Sequence, residues 1–192
     1  MNIFYLDPST QKCAEQHVDK HVVKMIIEYA QLMSTAHRFI DGTEYTELSA
    51  NGRRIKRWRL EEPREAALMK ASHINHPSAI WVRDNAENYA WLFEMWCYLL
   101  EEYHYRYGKN HSCGRLIPFL AMAPIKIRTD RGFFPPTPAM PTELKILAEN
   151  PIPGRKYDSL KSYHNYYNVS KRGFASWRGK VNSRPIPEWY NV

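Results

Sequence analysis

The residues best suited to do chemistry lie in one stretch, His17 to Arg38, HVDKHVVKMIIEYAQLMSTAHR. Wound as an α-helix at about 100° per residue, His17, Lys20, His21, Lys24, Glu28, Gln31 and Thr35 fall within an arc of about 100°. Most of the remaining positions are apolar, among them Val18, Val22, Met25, Ile26, Tyr29 and Leu32. The spacing predicts a mostly buried helix with one narrow ionisable strip, the reverse of an ordinary surface helix. Two readings compete: the strip is the solvent face, or it lines a cleft. Composition favours the cleft, because cations one turn apart repel unless an anion shares them, and a phosphate would serve. His17 and His21 also have the i,i+4 spacing of paired zinc ligands on a helix. Lys20 and Lys24 between them oppose a dication, so no metal is assigned and no cofactor is expected.

The elements that must hold this strip are bounded by the whole chain. With 192 residues it fits a single domain, residues 1–192, with enough length for a real core. The formal charge is +7, and thirteen Tyr and six Trp raise the aromatic share to 14%, a balance that points to polyanions and most simply to nucleic acid. No apolar run approaches the ~18 residues of a membrane span. MNIFYLDPS has neither a basic n-region nor an apolar h-region, so the expected location is the cytoplasm. Cys13, Cys97 and Cys113 are odd in number and read as reduced thiols.

Along the chain, residues 2–6 read as a short strand or an extended lead-in, and Asp7-Pro8-Ser9 as a helix start. The organising helix should end at Asp41-Gly42. NGRRIKRWR, Asn51 to Arg59, carries Arg53, Arg54, Lys56 and Arg57 beside Trp58; Asn51-Gly52 marks a turn compatible with a hairpin tip. Glu61 to Ser72 reads as helix, followed by the HINHP corner, where Asn75 and His76 are placed to face a cleft. Ser78 to Tyr107 reads as a second long helix with Arg83 near its start and Tyr103, Arg106, Tyr107 and Lys109 gathered at its exit. Cys113 to Ala123 is a shorter apolar helix. Gly132 to Pro141, with four prolines, cannot be regular and reads as an ordered wall or lid. A last helix starts at Asp158-Ser159, and Lys171, Arg172, Trp177 and Arg178 form a cationic, aromatic C-terminal patch. The class expected is mainly α: one compact helical domain with long Pro-rich and basic loops and a short N-terminal strand as an option.

DPSTQKCAEQHVDKHVVKMIIEYAQLMSTAH, NHPSAIWVR, EEYHYRYGK and KRGFASWR resemble a group of small proteins encoded by tailed bacteriophages, cyanophages included. Two activities are associated with that group. One is pyrimidine-dimer DNA glycosylase. The other belongs to helical, glycosylase-like enzymes that hypermodify thymine in phage DNA by displacing phosphate or pyrophosphate from an activated 5-hydroxymethyluracil. The resemblance implies a phage enzyme working in the host bacterial cytoplasm on a pyrimidine base in DNA, with an amine or amino acid as donor. A dimer-repair glycosylase implies an N-terminal amine nucleophile near a carboxylate. Met1-Asn2 departs from that pattern, because bulky Asn2 hinders removal of Met1.

On the transferase reading, Lys20, Lys24 and His21 stabilise the leaving phosphate and Glu28 or His17 is the general base. Gln31, Asn75, His76, Arg83, Tyr103, Arg106, Tyr107 and Lys109 then bind substrate, with the base flipped out of the stack. On the glycosylase or lyase reading, Lys24 or Lys20 attacks the sugar as an amine while Glu28 or Asp19 stabilises the sugar cation. A third reading is non-enzymatic: a basic protein that coats nucleic acid or inhibits a host protein. The sequence does not set the oligomeric state.

Overall fold

A computed structural model describes residues 1–191 of the chain. Its centre is α2, Asp19–Asp41, which packs on α5, Ala86–Tyr107. Met25, Ile26, Tyr29, Leu32 and Met33 on one helix meet Leu92, Met95, Trp96 and Leu99 on the other, all buried. Trp96 satisfies its indole N–H on the Ile26 carbonyl (2.9 Å), as a buried indole must. The short α1, Thr10–Glu15, is capped by Ser9 and lies against α5. Residues 2–6 are extended but pair with no strand; the second of the two expected forms is the one adopted. Ile3 to Leu6 run through the core at 5% exposure or less. Their backbone is held by side chains instead of a sheet: Phe4 N–H donates to Tyr29 Oη (3.1 Å) and His164 Nε2–H to the Leu6 carbonyl (2.8 Å).

The expectation of a mainly α protein is overturned. Helix accounts for 47% of the chain and strand for 12%, in two separate antiparallel hairpins, so the class is mixed α and β. The first hairpin joins β1, Thr43–Leu48, to β2, Arg54–Arg59, with Thr43 opposite Arg59 and Leu48 opposite Arg54. It lies where a basic loop is expected, with Asn51-Gly52 at its tip, and Thr, Tyr, Ile and Trp along the strands favour the pleated form. The second joins β3, Ile146–Ile152, to β4, Arg155–Asp158, in a stretch that periodicity leaves unassigned.

Helix lengths also change. Only Arg64–Ala67 of the expected 61–72 helix forms, as α3. The expected 78–107 helix is two: α4, Pro77–Val82, and α5, separated where Asn85 turns out of helical geometry to cap Asn88 N–H (2.9 Å). The region after Gly108 is a 3₁₀ turn, Ser112–Leu116, followed by the one-turn α6, Ile117–Leu120. The last helix, α7, Ser159–Tyr166, opens at Asp158 as expected. Among the described residues no helix is long and apolar enough to cross a membrane.

Candidate functional site

The ionisable strip is split by the fold. His17 precedes α2, which begins at Asp19, so it does not share a helical line with Lys20 and His21. Its ring is fully buried: Nδ1 lies 2.7 Å from the Cys13 carbonyl and Nε2 2.9 Å from Tyr29 Oη. A carbonyl only accepts, so Nδ1 carries the proton and the Tyr29 hydroxyl donates to Nε2. Burial pulls the imidazole down to about 4. His21 is also buried, stacked on Phe4 with Nδ1 2.6 Å from Tyr167 Oη, and burial again favours its neutral form. Both rings serve the core. Neither is open to a substrate or positioned with the other as a metal pair. Among the described residues no group of three His, Cys, Asp or Glu side chains could hold a metal ion.

Gln31 and Thr35 are covered by the chain at 70–72. Gln31 Nε2–H donates to the Lys70 carbonyl (2.6 Å), and Ser72 N–H donates to Thr35 Oγ1 (3.2 Å). The open face of α2 is instead Lys20, Val23, Lys24 and Ile27, with Glu28 at its edge. It is turned by about 60° from the strip drawn on an ideal helix. Val23 and Ile27 are 40% and 49% exposed, although their side chains suit the core.

Two features meet on that face. The first is a cluster of charged groups at Glu28. Lys24 Nζ lies 3.1 Å from Glu28 Oε1, and the α-amino group of Met1 lies 3.9 Å from Oε2. Glu28 keeps 20% of its side chain exposed. The Met1 end is fixed from α4, where buried Ser78 donates its hydroxyl to the Met1 carbonyl (3.2 Å). His76 caps the same helix by accepting Ser78 N–H on Nδ1 (3.1 Å), which leaves the proton of its neutral ring on Nε2. Partial burial lowers its basicity first, then the Met1 ammonium and His73; Glu28 opposes them. His73 beside it holds a positive φ of 51°, uncommon for a non-glycine residue.

The second is a cleft of about 460 Å³, lined by Asp19, Lys20, Val23, Tyr103, Tyr107, Lys109 and Lys180. Lys20 also lies over the Phe174 ring at 5.0 Å. Lys20 and Glu28 are eight residues apart on one helix, hence about 12 Å along its axis.

The other expected residues divide in the same way. Arg106 is fully buried; it pairs with Glu102 and Asp19 and donates to the carbonyls of Glu15 and His17. Arg83 donates to the Ile74 carbonyl and stacks on Phe39, which holds the HINHP corner in place. Asn75 is exposed. Among the described residues Arg53 and Arg54 at the hairpin tip make no ion pair, whereas Lys56 pairs with Glu44 and Arg57 with Glu47. Trp177 is buried with its N–H on the Gln16 carbonyl, leaving Lys171, Arg172 and Arg178 as the outward members of the C-terminal patch. The sequence reading set the Met1 amino group aside because of Asn2, and it did not place Ser78 or Lys180 at the site. The apolar run IFYL directly after Met1-Asn2 draws the chain start inward.

No family model, no curated protein and no solved structure matches the chain.

Proposed function

We propose that the chain acts on a pyrimidine nucleotide of DNA as a glycosylase or lyase, with an amine nucleophile held at Glu28. One observation carries this: the Met1 amino group and the Lys24 ammonium flank the two oxygens of one partly exposed carboxylate, at 3.9 and 3.1 Å. Of the two amines, Lys24, whose side chain is 69% exposed, is the one open to a substrate and is the nucleophile. It attacks the sugar C1′ with its lone pair. The C1′–N bond breaks and its electron pair leaves with the base, which takes a proton. Glu28 stabilises the positive charge that develops on the sugar. His76 Nε2–H is the proton donor on the same side. Ring opening converts the adduct to an imine, and water releases the sugar and regenerates the amine.

The Lys20–Lys109–Lys180 cleft supports a role for DNA phosphate one step along the strand. The same cleft favours a second reading, a transferase that displaces phosphate from an activated hydroxymethyluracil using Lys20, with an amine or amino acid as donor. Either reaction takes place in the host bacterial cytoplasm, in keeping with three unpaired cysteines.

Mass spectrometry of released bases tests the proposal. UV-irradiated DNA and 5-hydroxymethyluracil DNA are incubated with the wild type and with Glu28→Gln. Free pyrimidine from either DNA is expected with the wild type, and loss of the carboxylate should slow release about 100-fold. A mass-shifted nucleoside without release supports the transferase. No release and no shift on either DNA contradicts base chemistry.

A further inference from the structure

A second cavity, larger than the α2 cleft, lies away from that helix. It is a groove of about 900 Å³ between the proline-rich strap at 133–138 and the β3–β4 hairpin, with Tyr5 in its floor. A volume of this size falls in the range of small-ligand sites. The strap that forms one wall is fastened down. Phe134 N–H donates to Asn88 Oδ1 (3.2 Å), and its carbonyl accepts Trp81 Nε1–H (2.9 Å). The Pro136 carbonyl accepts the Ser159 hydroxyl (2.6 Å). Its prolines fix φ, so the wall is formed before any ligand arrives.

Two kinds of group face this space. Aromatic rings come from Tyr5, Phe133, Phe134 and Tyr157. Phe133 stacks on Trp91 at 5.6 Å but stays 38% exposed. Cations come from Lys145, Arg155 and Lys156. Arg155 lies over the Phe134 ring, and the two lysines lie about 5 Å from the centre of the Tyr157 ring. Among the described residues, no carboxylate lies within ion-pair distance of these three cations. The one acidic residue of the lining, Asp158, spends an oxygen on the first turn of α7, where it accepts Lys161 N–H (2.9 Å).

We infer that this groove binds a nucleotide, its base laid against the aromatic wall and its phosphate on Lys145, Arg155 and Lys156. A purely apolar ligand would leave three cations without a counter-charge, and a bare phosphate would leave the rings wet. A base joined to a phosphate satisfies both, by stacking and by charge-assisted hydrogen bonds. The nucleotide is either free or one unit of a single strand. The inference does not depend on chemistry at Glu28.

Isothermal titration of the full chain with thymidine 5′-monophosphate, pentathymidylate, thymidine and inorganic phosphate tests it. Thymidine monophosphate is expected to bind more tightly than thymidine or phosphate alone. Pentathymidylate binding about tenfold tighter again identifies a strand site, and equal binding identifies a free nucleotide. Arg155→Ala with Lys156→Ala should weaken binding at least about tenfold, and so should Tyr157→Leu, which keeps the bulk but not the ring. Glu28→Gln should leave it unchanged, so failure at Glu28 and failure here are separable. Unchanged thermal unfolding checks that each variant folds. Absence of heat with both thymidine monophosphate and pentathymidylate at millimolar concentration overturns the inference, as does undiminished affinity in both folded variants.

Discussion

His17 shows how a residue suited to catalysis can be committed to structure. It sits two residues ahead of α2, where the chain turns in from α1, and its ring bridges the Cys13 carbonyl to the Tyr29 hydroxyl. That hydroxyl also accepts Phe4 N–H, so one imidazole helps to hold the buried N-terminal segment. The sequence places His17 on the strip only if the helix begins two residues early, and periodicity is weakest at element ends. The consequence is a pH dependence. Burial holds folded His17 at about 4 and His37 at about 4, while an unfolded imidazole titrates near 6.5. Between those values the unfolded chain binds more protons, so stability is complete above about 6.5 and falls as pH drops toward 4. Urea unfolding at pH 7 and pH 5 should show a loss of about 2 kcal/mol from His17 alone. Equal stability at the two pH values would contradict a neutral, buried His17.

At the scale of elements, α2 and α5 were readable because long amphipathic periods and their stops are local signals: Gly108 ends α5 in the left-handed conformation at φ 64°. The hairpins were not. β1 and β2 alternate charged and half-buried residues, a pattern that a cation-rich loop shares, and only their mutual register makes them strands. The break at Asn85 was hidden because apolar residues continue on both sides of it; its side chain takes the capping bond that separates α4 from α5. The β1–β2 hairpin carries its own prediction. Lys56 and Arg57 are neutralised by Glu44 and Glu47 across the pair, while among the described residues Arg53 and Arg54 at the tip make no ion pair. Arg53→Ala with Arg54→Ala should lower the slope of log affinity for duplex DNA against log salt by about 2, and Lys56→Ala should change it by much less. Fluorescence anisotropy across a salt series reads the slope; equal effects of the two variants would remove the hairpin from the DNA interface.

At the scale of the whole molecule, a chain with formal charge +7 presents its free cations on separate surfaces: the hairpin tip, the Lys20–Lys109–Lys180 cleft, and the groove beside the β3–β4 hairpin. The sequence disclosed the charge and the α2 cations. It could not disclose that the first residue is brought to Glu28, because that juxtaposition depends on residues 2–6 running through the core past Tyr29 and His164 to an anchor on Ser78. The groove was hidden for the same reason, since its walls come from segments about 20 residues apart in the chain and from Tyr5. The central claim is that an amine beside Glu28 attacks the sugar. Borohydride trapping on UV-irradiated DNA, followed by peptide mapping, tests it most directly. A covalent adduct on Lys24 that is absent in Lys24→Arg and disappears in Glu28→Gln is the predicted result; base release with no trapped adduct on Lys24 would contradict it.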